Sequence, residues 1–153
     1  MTDIGEQIGA LPMHWDKKGN LQVLMVTSRD TGRWVMPKGW LMDGKKPWAA
    51  AEIEALEEAG AVGHIGKEII GTFHYDKGLD DGTSLPCRVD VYPMIVDKLK
   101  RRWKERNKRT RHWFTPKAAA KRVQEPELAE MLLSLVDKPQ KQPVIKQLLK
   151  KAG

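Results

Sequence analysis

Residues 39–61 constrain this chain more than any other stretch. Gly39-Trp40-Leu41-Met42-Asp43-Gly44-Lys45-Lys46 reads as a glycine-punctuated loop that runs straight into a helix over Pro47 to Ala59. Ala49, Ile53, Leu56 and Ala59 recur at helical spacing, Pro47 suits a first turn, and Gly60 is a C-terminal stop. Glu54, Glu57 and Glu58 stand at i, i+3 and i+4 and so share one face. Three carboxylates crowded there repel one another and oppose the helix, and a hard divalent cation would relieve them. Mg²⁺ takes oxygen ligands and is usually shared between carboxylates and substrate phosphates. The opposite face, Ala49, Ala50, Ile53 and Leu56, is expected to enter the core, leaving the acidic face toward a cleft or solvent. By spacing alone, a solvated acidic face would look the same, since Glu is a common helix former.

Strands dominate the segments before this helix. Ile8 to Trp15 and Leu21 to Val26 flank the turn signal Asp16-Lys17-Lys18-Gly19-Asn20, and Trp34-Val35-Met36 is stopped by Pro37. After the helix, Ile69 to Tyr75 and Arg88 to Val96 read as strands joined by an exposed loop over Asp76 to Pro86. His112-Trp113-Phe114 is a short strand, and Thr115 is an N-cap for a helix over Pro116 to Val123. Glu127 to Val136 and Pro143 to Lys151 complete the helices. The order predicts an α+β fold with a mixed sheet, in one domain over residues 1–153.

Composition removes several classes of function. The 153 residues hold one cysteine, Cys87, so no internal disulfide staples the fold. No apolar run approaches the roughly 20 residues of a membrane span. The first nine residues carry Asp3 and Glu6 and lack the pattern of a secretory signal, so the cytoplasm is the expected compartment. Charge is uneven: residues 1–97 hold 10 basic and 15 acidic groups, whereas residues 98–153 hold 17 basic and 5 acidic. A basic half points to an anionic partner. The four histidines lack metal-ligand spacing, and Gly78 to Gly82 lacks the Gly-Lys-Ser/Thr ending of a phosphate loop.

The helix and its leader resemble the Nudix hydrolase family. Gly39, Glu54, Glu57, Glu58 and Gly60 match the family's signature in register. The departures are Lys45 for a Glu, Ile53 for the usual Arg, and Ala55 and Ala61 at aliphatic positions. Trp34-Val35-Met36-Pro37-Lys38-Gly39 looks like the strand and loop that lead into the box, and His112-Trp113-Phe114-Thr115 like the late strand-to-helix junction. The resemblance implies a Nudix fold, a mixed sheet sandwiched between helices. It implies Mg²⁺ or Mn²⁺ on Glu54, Glu57 and Glu58, with Glu57 and Glu58 central to catalysis. Ile53 cannot orient these carboxylates as an Arg would, so Arg29, Arg33 or Lys38 would have to compensate.

A subgroup, the diphosphoinositol polyphosphate phosphohydrolases, is similar in Ser28-Arg29, Gly32 to Pro37, Trp103 and Arg109 to Phe114. That likeness implies a small, highly anionic polyphosphate as substrate, bound by Arg29, Arg33, Arg88, Arg109 and Arg111, with Lys38 adding charge beside the box. Arg forks suit bidentate phosphate capture. Two alternatives stay open. One keeps the chemistry but changes the substrate to ADP-ribose, NADH or a nucleoside polyphosphate. The other is a catalytically silent domain that binds nucleotide or nucleic acid through Lys100-Arg101-Arg102-Trp103-Lys104 and its neighbours, although no nucleic-acid-binding motif is recognisable.

Overall fold

The computed structural model describes residues 3–153. Strand β1 (Gly5–Trp15) lies at the centre of a mixed sheet. It runs parallel to β7 (Ser84–Leu99) from Gly5 opposite Cys87 to Met13 opposite Ile95. Its other edge is shared: the C-terminal half pairs antiparallel with β2 (Leu21–Thr27) and the N-terminal half with β4 (Lys38–Trp40). β3 (Trp34–Val35) and β8 (Arg111–Phe114) pair with β2, while β5 (Ala61–Ile65) and β6 (Gly71–Gly78) pair with β7.

Alternation along the strands divides the core into two layers. Leu24 and Val26 pack with Ile8, Ala10 and Val35 against helix α1 (Pro47–Ala59). Val23 and Met25 pack on the other face with Leu11, Met13, Phe73, Val89 and Val91. That second face is covered by α2 (Pro116–Arg122) and α3 (Pro126–Leu133), whose Ala119, Leu128 and Leu132 are fully buried, and by Ile145 of α4 (Pro143–Ala152). Helices therefore cover both faces of a mixed sheet, as expected. Among the described residues, no helix is long and apolar enough to cross a membrane.

Several element bounds move. The loop expected over Asp76 to Pro86 contracts to residues 79–83, because Asp76 to Gly78 continue β6 and pair with Ser84 to Pro86. The strand expected from Ile69 starts at Gly71. β5 and β4 had no clear signal, being short and Gly-containing, and both are recruited by pairing to longer strands. Thr115 caps α2 as expected, its Oγ1 accepting from the Ala118 N–H at 3.2 Å.

The face of α1 that enters the core is not the expected one. Ile53 is only partly buried and Leu56 is 39% exposed, whereas Ala50, Ala51, Ala55 and Ala59 are fully buried. An alanine stripe lets the helix lie close to β1. Glu54 and Glu58 share that side and are buried at the helix–sheet seam. The Glu57 side chain stays 31% exposed.

Candidate active site

Helix α1 starts without a side-chain cap and ends at Gly60, whose left-handed φ of 64° accompanies a bond from its N–H to the Leu56 carbonyl at 3.0 Å. These ends set which turns face β4. Glu54 lies against Gly39, and the Lys38 N–H points at Glu58 Oε1 from 3.4 Å. Burial, then repulsion from Glu57 and Glu105, pushes the Glu54 carboxyl up to about 7. Burial pushes Glu58 up to about 8, with Arg109 pulling the other way and Glu54 and Glu105 adding to the rise. Both groups thus sit where negative charge is insufficiently compensated.

Arg109 is the guanidinium at these carboxylates. It reaches Glu58 at 3.6 Å and Glu105 at 3.0 Å, and donates to the Thr27 carbonyl at 3.0 Å. Of the three residues expected to compensate for Ile53, Lys38 also meets Glu58 through its backbone N–H, whereas Arg33 pairs with Glu125. The segment that carries Arg109 is fastened to α1: Trp103 Nε1 donates to the Glu58 carbonyl at 3.1 Å and the Glu105 N–H to the Glu57 carbonyl at 3.0 Å. Glu57 itself pairs with Lys104 at 3.5 Å.

A cleft of about 660 Å³ opens beside Glu58, between the 28–33 loop and the end of β6. Arg29, Arg33, Lys38, Lys77 and Arg109 line it, together with the carboxylates Asp30, Glu58, Asp76 and Asp80. Lys38 Nζ donates to the Tyr75 hydroxyl at 3.2 Å, and that hydroxyl donates to Gln7 Oε1 at 2.7 Å. Burial holds the Lys38 ammonium below its usual range, and Glu58 opposes the shift. Arg33 pairs with Glu125 at 3.5 Å.

Four of the six basic residues expected to bind substrate, Arg29, Arg33, Lys38 and Arg109, line this cleft. Arg88 and Arg111 do not. Arg88 sits on β7 and pairs with Glu6 at 3.3 Å and Asp90 at 3.8 Å, both on the sheet surface. Arg111 donates to the Ala59 carbonyl at 2.8 Å and stacks 3.8 Å above Trp103, closing the C-terminal end of α1. That is a favourable place for a cation. Asp81, in the loop after β6, is not among the cleft-lining residues and accepts from the Thr83 N–H at 2.9 Å. The sequence reading missed Lys77, Tyr75, Gln7, Glu105 and Glu125. None of them belongs to a local pattern; pairing of β1, β6 and β7 and the return of the late segments bring them here.

Among the described residues, no group of three or more His, Cys, Asp or Glu side chains is placed to hold a metal ion. Glu54 and Glu58 nevertheless fit Mg²⁺ or Mn²⁺. They are hard oxygen donors, buried and mutually repelling, and Glu58 lines the cleft; Mg²⁺ commonly rests on one or two carboxylates plus substrate oxygens. Glu57 lies one turn beyond Glu54 on the exposed flank of the same helix.

The NUDIX domain model matches residues 7–135. Nudix hydrolase 16, mitochondrial, from Arabidopsis thaliana is 29% identical over 90% of this chain and 83% of its own. Diphosphoinositol polyphosphate phosphohydrolase 3-beta from Bos taurus is 32% identical over 74% of this chain and 68% of its own. The chain spans 83% of the length of the first of these relatives but only 53% of Nudix hydrolase 12, mitochondrial, from Arabidopsis thaliana. Among solved structures, the C. elegans Ap4A hydrolase superposes with a TM-score of 0.59 at 18% identity, covering 87% of this chain and 96% of the other, which is a likeness of fold. The chain belongs to the Nudix hydrolases, an enzyme family generally dependent on divalent metal.

Proposed function

We propose that this chain hydrolyses the pyrophosphate bond of a small polyphosphate, such as a diphosphoinositol polyphosphate or a dinucleoside polyphosphate, with Mg²⁺ or Mn²⁺ held by Glu54 and Glu58 and completed by Glu57 from the exposed flank of the same helix. The observation that carries this reading is the cleft in which Arg29, Arg33, Lys38, Lys77 and Arg109 surround the end of the carboxylate helix at Glu58. When bound, the metal supplies charge neutralisation and an activated water. Arg29 and Lys77 have no acidic partner within salt-bridge distance among the described residues, so they are free to take phosphate oxygens. Arg109 keeps Glu58 oriented, and the Tyr75–Gln7 pair holds the Lys38 ammonium against the cleft wall. Water oxygen bonds to one phosphorus as the bridging P–O bond breaks, the proton it loses passes to solvent, and the leaving phosphate departs among these cations.

A second reading is favoured by the carboxylates. Five cations share the cleft with Asp30, Glu58, Asp76 and Asp80. This balance suits a substrate with fewer phosphates and with hydroxyl or amino donors, as in ADP-ribose, NADH or a nucleoside polyphosphate. Turnover of inositol pyrophosphates, dinucleoside polyphosphates, ADP-ribose and NADH, each with Mg²⁺ and with Mn²⁺, separates the two readings by kcat/KM. Absence of turnover across that panel would leave the binding-only alternative. The proposed compartment is the cytoplasm; the plant relative carries a mitochondrial name, and fractionation of cells expressing the tagged chain decides between them.

A further inference from the structure

Glu125 lies outside every motif noted above, yet among the described residues it alone carries a buried side-chain oxygen without a hydrogen-bond partner. Its side chain is only 5% exposed, and its Oε1 has no hydrogen-bond partner. Buried carboxylates ordinarily have their oxygens satisfied, and leaving one bare is costly. It occupies the N-cap position of α3, but its side chain makes no cap bond, so helix termination does not account for it. Its other oxygen, Oε2, meets Arg33 Nη1 at 3.5 Å, a single contact at the outer limit for such a pair.

Arg33 lies in the cleft wall, and Nη1 to Glu125 is its one side-chain hydrogen bond among the described residues. A guanidinium carries five N–H donors. The rest of the fork is therefore available to phosphate oxygens, while Glu125 holds one corner from beneath. Glu125 is also close enough to favour the charged form of Lys38, a second cation of the same wall. The α2–α3 turn thus delivers a negative charge from the outer helical layer to the back of two substrate-facing cations.

We propose that Glu125 is a positioning residue for substrate phosphate: it anchors Arg33 at the cleft wall, with one carboxylate oxygen left bare, so that the free side of the guanidinium fork meets the anion. This rests on the pyrophosphatase reading of the cleft. A merely structural carboxylate would make a different prediction, because its loss would lower stability and leave substrate affinity alone.

The test combines Glu125→Gln, Arg33→Ala and the double variant. Readouts are KM and kcat on the best substrate, titration calorimetry with inorganic pyrophosphate in the absence of metal, and thermal unfolding. Glu125→Gln should raise KM about tenfold and weaken pyrophosphate by a similar factor, since an amide holds a guanidinium less firmly than a carboxylate does. It should leave kcat within about twofold and Tm unchanged or higher, as a bare buried charge is removed. Arg33→Ala should raise KM at least as far, and adding Glu125→Gln to it should change nothing more. Unchanged KM and pyrophosphate affinity in Glu125→Gln, or additive losses in the double variant, would overturn the assignment. Arg33→Ala alone keeps the test decisive if Glu125→Gln does not fold: wild-type KM in that variant would also overturn it. Loss of the proposal with wild-type pyrophosphate binding intact leaves the cleft reading standing, whereas a wild-type chain that binds no pyrophosphate and turns over no substrate removes both.

Discussion

Gly39 and Glu54 compete for one volume: a side-chain carbon on Gly39 would coincide with the Glu54 carboxylate. The backbone of β4 therefore forms one wall of the acidic site, and only glycine lets α1 pack this close. Gly39→Ala should push Glu54 out of register with Glu58 and lower kcat/KM by roughly a hundredfold, the scale expected for a catalytic group displaced by about 1 Å. The sheet and core should survive, so far-UV circular dichroism should match the wild type. Full activity in Gly39→Ala would show that the position of Glu54 is immaterial.

Glu58→Gln should abolish most turnover, because the loss of a metal ligand removes several kcal/mol of transition-state stabilisation. The metal-free protein should lose little stability, since removing a charge that burial strongly disfavours, and its repulsion by Glu54 and Glu105, offsets the lost pair with Arg109. Glu57→Gln should lose activity with little change in Tm, as it gives up only a partly exposed pair with Lys104. Mn²⁺ titration followed by electron paramagnetic resonance should show weakened binding in both variants. Unaltered kcat and Mn²⁺ affinity in Glu58→Gln would remove this carboxylate from the chemistry.

Stability of the metal-free protein should fall as pH rises. Burial raises the folded-state pKa of Glu54 to about 7 and of Glu58 to about 8, from 4.5. The folded form thus binds protons more tightly than the unfolded form. The associated stability is fully present below pH 4.5, and is lost progressively as pH climbs from there through about 8. The loss should amount to ~1–3 kcal/mol, visible as a decline in Tm in chelator-treated samples. Added Mg²⁺ should restore Tm most strongly at the alkaline end, where both ligands are ionised. A Tm independent of pH over this window, or a response in the opposite direction, would contradict the burial of these carboxylates.

The basic residues should separate into two groups. Arg29→Ala and Lys77→Ala should each lower kcat/KM on a long polyphosphate by about tenfold, with less effect on ADP-ribose, and raised salt should mimic them. Arg88→Ala should leave kinetics unchanged, because its partners are Glu6 and Asp90 on the sheet surface. Arg111→Ala should leave KM unchanged but lower stability by ~1–2 kcal/mol, through loss of its bond to the Ala59 carbonyl and its stacking on Trp103. A kinetic defect confined to Arg88 and Arg111 would mean that substrate binds elsewhere.

Local pattern was enough to read the helix over Pro47–Ala59 and its Gly60 stop, the shared helix of Glu54, Glu57 and Glu58, the Thr115 cap and the longer strands, since each depends on neighbours a few residues away. Arg29, Arg33 and Lys38 were expected at the site from the subgroup resemblance, and all three line the cleft. Spacing failed on the core face of α1. Ile53 and Leu56 are the more apolar side chains, but only the small residues Ala50, Ala51, Ala55 and Ala59 permit the close helix–sheet contact seen here. That contact drags Glu54 and Glu58 into low-dielectric surroundings, and so sets their proton affinity. Tertiary structure alone decided which arginine meets the carboxylates. Arg109 reaches Glu58 because Trp103 and Glu105 fasten the late segment to α1, whereas Arg111, two residues on along β8, is committed to the helix end. Glu125 follows the same logic: its sequence surroundings describe a turn between helices, and only the packing of α2 and α3 on the sheet puts its charge behind Arg33. Residues close in sequence share a face by geometry, but the partner of a charge is chosen by which chain segments the core brings together.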